Sequence, residues 1–267
     1  MVRAIGSGSQ IPLASMTILN VMEKKSPKLR SVEKYHPKHP LNKFPEDFAI
    51  KLGKEIVYIL ATRPEPRLEG SDWEEIFARC IGANWTPSNV GLDDVVYEQT
   101  AWGAKTVKND RPFVARHVRL ISGRNSLDYS YGEKNVRDMD VDEVGEKVLA
   151  IWNARVADVR KKFLHVRTVV LLKGENLTEV SVYEEETCLF DPKDYYWQVN
   201  DRGNFEGFEN TTGAHRFTWQ PHGSQFTIVS DVPEKRLKLR IKRPVQVSPN
   251  AVLKDVGFDP SWIEIVD

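Results

Sequence analysis

The 267-residue chain has only two cysteines, Cys80 and Cys188, too few for a disulfide scaffold or a cysteine-based zinc site. It also lacks a long apolar run. The longest purely aliphatic stretch, residues 169–172, falls far short of the roughly 20 apolar residues that a membrane-spanning helix needs. An excess of one charge sign is missing too, because 38 basic side chains balance 38 acidic ones. That balance excludes a polycation that binds by bulk charge, but not selective nucleic-acid binding, which follows local charge. The nucleophile elbow, the Walker loop, the dinucleotide-binding glycine pattern and the zinc-protease helix are all absent, so no small-molecule cofactor is expected. The first 22 residues carry an apolar stretch broken by Pro12, Ser15 and Thr17, unlike a secretory leader, so a cytoplasmic location is expected.

Against these absences, 40% hydrophobic and 10% aromatic residues are enough to build a core. Three regions are expected. Residues 1–44 form a basic, proline-punctuated arm containing Lys24, Lys25, Lys28, Arg30, Lys34, Lys38 and Lys43. Residues 45–186 form the core, and 187–267 a β-rich part that is either a subdomain or an extension of the same domain. Within the core, Phe48, Ile50, Leu52, Ile56, Val57 and Leu60 recur at helical intervals before Pro64. A capping box, Ser71 with Glu74, opens a second helix whose stripe is Trp73, Ile76, Phe77, Cys80 and Ile81. Residues 90–97 and 101–107 read as a hairpin, 113–121 as a third strand and 140–163 as a long amphipathic helix. The β-branched run 166–172 reads as a strand covered on both faces, with 180–183 beside it. Short strands follow at 195–199, 215–219, 225–229 and 235–243.

The chemistry-bearing stretch is Gly91-Leu-Asp-Asp-Val-Val-Tyr-Glu-Gln-Thr-Ala-Trp-Gly-Ala-Lys105, preceded by the acidic helix Asp72-Trp-Glu-Glu. An acid leads an apolar strand, a turn follows, and a lysine stands on the partner strand. This order resembles the PD-(D/E)XK nuclease superfamily, most closely the type II restriction endonucleases, over residues 45–173. The resemblance implies an α/β fold elaborated towards α+β: a restriction-endonuclease-like mixed sheet flanked by helices. It also implies Mg²⁺ as cofactor and double-stranded DNA as substrate. Asp94 matches the strand acid and metal ligand, since Val95 and Val96 follow it; Asp93 takes the role if the register shifts by one. Lys105 matches the motif lysine, and the Ala104 backbone carbonyl matches a metal ligand. Glu75 matches the helix acid ahead of Glu74. The pattern departs at Gly103, where the family carries Asp or Glu; Glu98 or Glu75 would have to replace it.

Further residues suit DNA contacts. Arg119, Ser122, Arg124 and Asn125 surround a glycine turn, and Gln220, His222 and Gln225 lie in an inter-strand loop with amide groups able to read base edges. Lys238, Arg240 and Lys242 alternate with Leu237, Leu239 and Ile241, which gives either a charge-protected edge strand or a basic stripe along phosphate. The leading expectation is a Mg²⁺-dependent, sequence-specific endonuclease that acts as a homodimer, because duplex cleavage needs two sites. The alternatives are a non-catalytic DNA- or RNA-binding module on a degenerate nuclease fold and a phage-type assembly protein.

Overall fold

The computed structural model describes residues 36–65, 67–86 and 91–266. Most of the expected basic arm, residues 1–35, lies outside the described residues. Helix α1 (Phe48–Thr62) buries Phe48, Leu52, Ile56, Ile59 and Leu60, and stops at the extended Arg63 just before Pro64. Two residues expected in its core stripe, Ile50 and Val57, are exposed instead. The buried positions already fill one face, and 3.6-residue periodicity turns these two outward.

Helix α2 (Gly70–Ile81) buries Trp73, Ile76, Phe77, Cys80 and Ile81, as the periodicity predicts. Its cap differs from the expected one. The helix begins earlier, so Asp72 rather than Glu74 reaches back, accepting from the Glu69 N–H at 2.8 Å. Glu74 is thereby released from capping.

Two sheets follow. The first contains β1 (Asn84–Trp85), β2 (Val95–Tyr97), β3 (Thr100–Lys108), β5 (His165–Lys173), β6 (Glu179–Glu186) and β11 (Leu237–Arg240), in the order β1-β2-β3-β5-β6-β11. Only β3 and β5 pair in parallel among the described strands, and helix α4 (Val141–Arg160) lies on the crossover between them. The second sheet is antiparallel, with β4 (His117–Arg124), β10 (Gln225–Asp231), β9 (His215–Gln220), β8 (Phe205–Glu209) and β7 (Tyr195–Val199) in that spatial order. The sheets interleave in sequence: β4 joins the C-terminal strands, whereas β11 returns to the edge of the first sheet. Short helices α3 (Leu127–Tyr131) and α5 (Pro249–Asp255) complete the mixed α/β architecture.

Alternation on β3 and β5 divides the core. Trp102, Ala104, Val169 and Leu171 pack towards α1 and α2. Ala101 and Val166 pack with α4 and the second sheet, and Val170 and Leu172 pack with Val118 and Leu120 of β4. The strand at 166–172 is therefore buried on both faces, but it carries one charge, Arg167, at 2% exposure.

Arg167 lies 3.7 Å from Glu184, which also accepts from the Trp102 indole at 2.6 Å and the Asn42 N–H at 2.7 Å. Arg167 also donates to the His39 carbonyl at 2.8 Å, so the network ties residues 39–42 to the sheet. Burial pushes the Glu184 carboxyl above its usual range, and Arg167 opposes that shift. Removing one partner strands a buried charge. Arg167→Met is therefore expected to cost about 3–5 kcal/mol in urea denaturation at pH 7, and Arg167→Met with Glu184→Gln to cost less than the single change.

Candidate active site

The site begins where β2 meets β3. The pairing of Val95 with Trp102 puts Asp94 opposite Gly103, on the face that also carries Lys105. A Cβ on Gly103 would lie 2.5 Å from the Gly91 carbonyl oxygen and 3.2 Å from the Leu92 Cα. The missing side chain lets the 91–92 backbone settle directly on the strand, which Gly91 supports with φ +66. An Asp or Glu at 103 would collide with that backbone.

This close approach delivers both motif residues. Asp94, 2% exposed, accepts from the Ala104 N–H at 3.3 Å, and its carboxylate lies 4.0 Å from Lys105 Nζ. Lys105 donates to the Gly91 carbonyl at 3.0 Å. Burial pushes the Lys105 ammonium below its usual range, while Asp94 and Glu74 act to raise it. Within a strand the N–H and C=O of one residue point to the same side, so the Ala104 carbonyl also faces the Asp94 side of β3.

The helix acid that reaches this field is Glu74, not Glu75. Glu74 accepts from the Trp85 indole at 3.2 Å and interacts electrostatically with Lys105. Glu75 pairs with Arg79, which also binds Glu55 of α1 at 2.9 Å, so it faces the other helix. One helical residue rotates a side chain by about 100°, enough to separate neighbours into different environments. Glu98 is also elsewhere. It occupies the β2–β3 turn with φ +51, and from the first residue of β3 to Lys105 is roughly 17 Å at about 3.3 Å per residue. Neither Glu75 nor Glu98 can fill the position vacated at Gly103. Among the described residues no group of three or more His, Cys, Asp or Glu side chains is arranged to hold a metal.

Arg155 of α4 completes the positive side, a role that the helix periodicity did not signal. It donates to the Ser122 carbonyl at 3.1 Å and to Asn125 Oδ1 at 3.2 Å, and its charge helps to lower Lys105. Its guanidinium occupies the space where Gly123, φ +117, would carry a Cβ. Behind Lys105 a cavity of about 590 Å³ opens between the sheets, lined in part by Ser122, Trp152, Thr168, Glu185 and Ser230.

Of the expected DNA contacts, two turn inward. Asn125 is fully buried, donating to the Val148 carbonyl at 2.9 Å, while its own carbonyl accepts from the Trp219 indole at 2.9 Å. Ser122 is buried and donates to the Leu120 carbonyl at 3.0 Å. Both side chains are spent on backbone carbonyls near the β4 end, although Ser122 also lines the cavity. Four others gather on the outer face of the second sheet. Arg124, Gln225 and Gln220 sit abreast on β4, β10 and β9, and Arg119 donates to Thr218 at 2.7 Å. With Asn200, Arg202 and Asn204, residues that the strand pattern did not single out, Arg119, Gln220 and Gln225 line a polar hollow of about 600 Å³. His222 is exposed on the adjoining turn. Lys238, Arg240 and Lys242 follow the opposite edge of the first sheet, three strands or roughly 14 Å from β3. There Arg240 pairs with Glu179 at 2.8 Å and lies over Phe113.

No helix among the described residues is long and apolar enough to cross a membrane. No protein-family model, curated protein or solved structure matches the chain significantly.

Two outcomes follow from the geometry. Gly103→Ala should destabilise the fold by about 1–3 kcal/mol in chemical denaturation, because the clash is with backbone rather than a movable side chain. Glu185, which accepts from Ser230, is pushed above the usual carboxylate range by burial. Its stabilising contribution is present below about pH 4.5 and is lost as pH rises through the raised value. Glu185→Gln should therefore gain thermal stability over the wild type on going from pH 4.5 to pH 8.

Proposed function

We propose that the protein is a Mg²⁺-dependent endonuclease that hydrolyses phosphodiester bonds of double-stranded DNA, on a restriction-endonuclease-like fold. The observation that carries this reading is the convergence of Asp94 and Lys105, eleven residues apart in sequence, to 4.0 Å beside the Ala104 backbone. The parallel β3–β5 pair, with α4 on its crossover and α2 on the opposite face, supports the same superfamily.

The donor chemistry suits a hard cation: Asp94 and the Ala104 carbonyl would hold Mg²⁺ and Glu74, whose charge reaches Lys105, would be the second carboxylate, since Mg²⁺ is commonly held by one or two carboxylates together with water and substrate phosphate. Bound there, Mg²⁺ supplies an activated water and neutralises phosphate charge. Lys105, held by the Gly91 carbonyl, positions the attacking water beside Asp94 and steadies charge on the phosphate. Arg155 adds positive potential from the far side. The polar hollow with Arg119, Gln220 and Gln225 contacts the duplex, guanidinium and amide groups being suited to base edges and phosphates. Site-specific cleavage of both strands calls for two such sites, hence a homodimer.

Gly103 favours a second reading, a DNA- or RNA-binding module on a degenerate nuclease fold, because the usual second acid is sterically excluded there. Supercoiled plasmid incubated with Mg²⁺ separates the two. On the nuclease reading the wild type cuts, and Asp94→Asn, Lys105→Met and Glu74→Gln each lose roughly 10²–10⁴-fold in rate while Glu75→Gln stays close to wild type. DNA retention in gel shift without cleavage in Mg²⁺ or Mn²⁺ would establish the binding module instead.

A further inference from the structure

The segment after β11 is built unlike the rest of the chain. The Val247 N–H donates to the Ala61 carbonyl at 2.8 Å, and Gln246 donates to the Arg63 carbonyl at 3.1 Å, so the segment is anchored at the end of α1. From there to residue 266 every residue is exposed. Yet it carries Val252, Leu253, Val256, Phe258, Trp262, Ile263 and Ile265, with Trp262 at 63% and Ile265 at 90% exposure. So many exposed large apolar side chains within one short segment mark it as an interaction site.

A matching receptor lies on the same molecule. The outward residues of α1, Ile50, Val57 and Tyr58, form a groove with Leu239 and Ile241, about 610 Å³ in volume. Gly53 deepens it, since nothing lies within 4 Å of where its Cβ would be. The charges are complementary. The groove is edged by Lys54, Arg240 and Lys242, while the segment carries three acids, Asp255, Asp259 and Glu264, against one base, Lys254. Lys54 and Lys242 have no ion-pair partner among the described residues.

We propose that this groove receives the 248–266 segment of a second copy of the chain, in a reciprocal exchange that makes a twofold dimer. The anchor at Ala61 carries the segment off the far end of α1, so it leaves its own groove uncovered. A twofold operation fills both grooves and covers both segments with one self-complementary interface. About twenty residues given and received on each side match the extent of a standard stable interface. This inference names an interface for the homodimer invoked above but is argued from the segment and the groove alone; the charge-reversal mixing tests it, whereas plasmid cleavage tests the nuclease reading.

The test is sedimentation velocity of the full-length chain, with circular dichroism confirming the fold of each variant. The wild type should sediment at twice the mass of one chain. Trp262→Asp with Ile263→Asp should raise the dimer dissociation midpoint by at least about tenfold. Lys54→Glu with Lys242→Glu should give monomers, and so should Asp255→Lys with Glu264→Lys. Mixing these two charge-reversed chains should restore a dimer, because the acidic groove then meets a basic segment and the basic groove an acidic one. A monomeric wild type, a dimer indifferent to these substitutions, or a mixture that stays monomeric would overturn the exchange. A monomeric wild type whose segment is protected from proteolysis would show that it folds onto its own groove instead.

Discussion

The contact on which the site depends is the seating of the Gly91 carbonyl and Leu92 against Gly103. Because β3 has no side chain at that point, the preceding loop closes directly on the strand and hands its carbonyl to Lys105. The same closure places Asp94 where its carboxylate can accept from the Ala104 N–H. One absent Cβ thus organises a buried acid, a partly buried ammonium and a backbone carbonyl within a few ångströms. It also excludes a second carboxylate from the strand at that position.

How much of this was legible in the sequence differs by element. The long helix, the doubly buried strand and three of the short C-terminal strands were readable, because their apolar periodicity is a direct imprint of burial, whereas β8 was missed and β11 is shorter than expected. The pairing of β4 with β10 and the return of β11 to the first sheet were not, since strand partners far apart in sequence leave no local pattern. Asp94 and Lys105 could be singled out from their apolar strand contexts. The choice between Glu74 and Glu75 could not, because it turns on where α2 begins, and the earlier start capped by Asp72 frees Glu74. Asn125 shows the converse error: a donor-rich turn suggests ligand contacts, but burial commits the side chain to holding helix α4.

The balanced net charge conceals an uneven distribution. Arg119, Arg124, Gln220 and Gln225 form an open polar face, while Lys105 and Arg155 sit inside the fold beside Asp94. Strand β4 serves both environments, turning Arg119 outward and Ser122 towards the cavity behind Lys105. On the proposed nuclease reading the open polar face would bind DNA and the Asp94–Lys105 pair would do the chemistry, two tasks that make opposite demands on solvent exposure.

The most direct test of the metal site is anomalous diffraction from crystals grown with Mn²⁺ and a short DNA duplex. The account predicts a manganese peak bounded by the Asp94 and Glu74 carboxylates and the Ala104 carbonyl, with Lys105 beside the scissile phosphate. Well-ordered DNA with no manganese at Asp94, or manganese held by Glu75 instead, would contradict it.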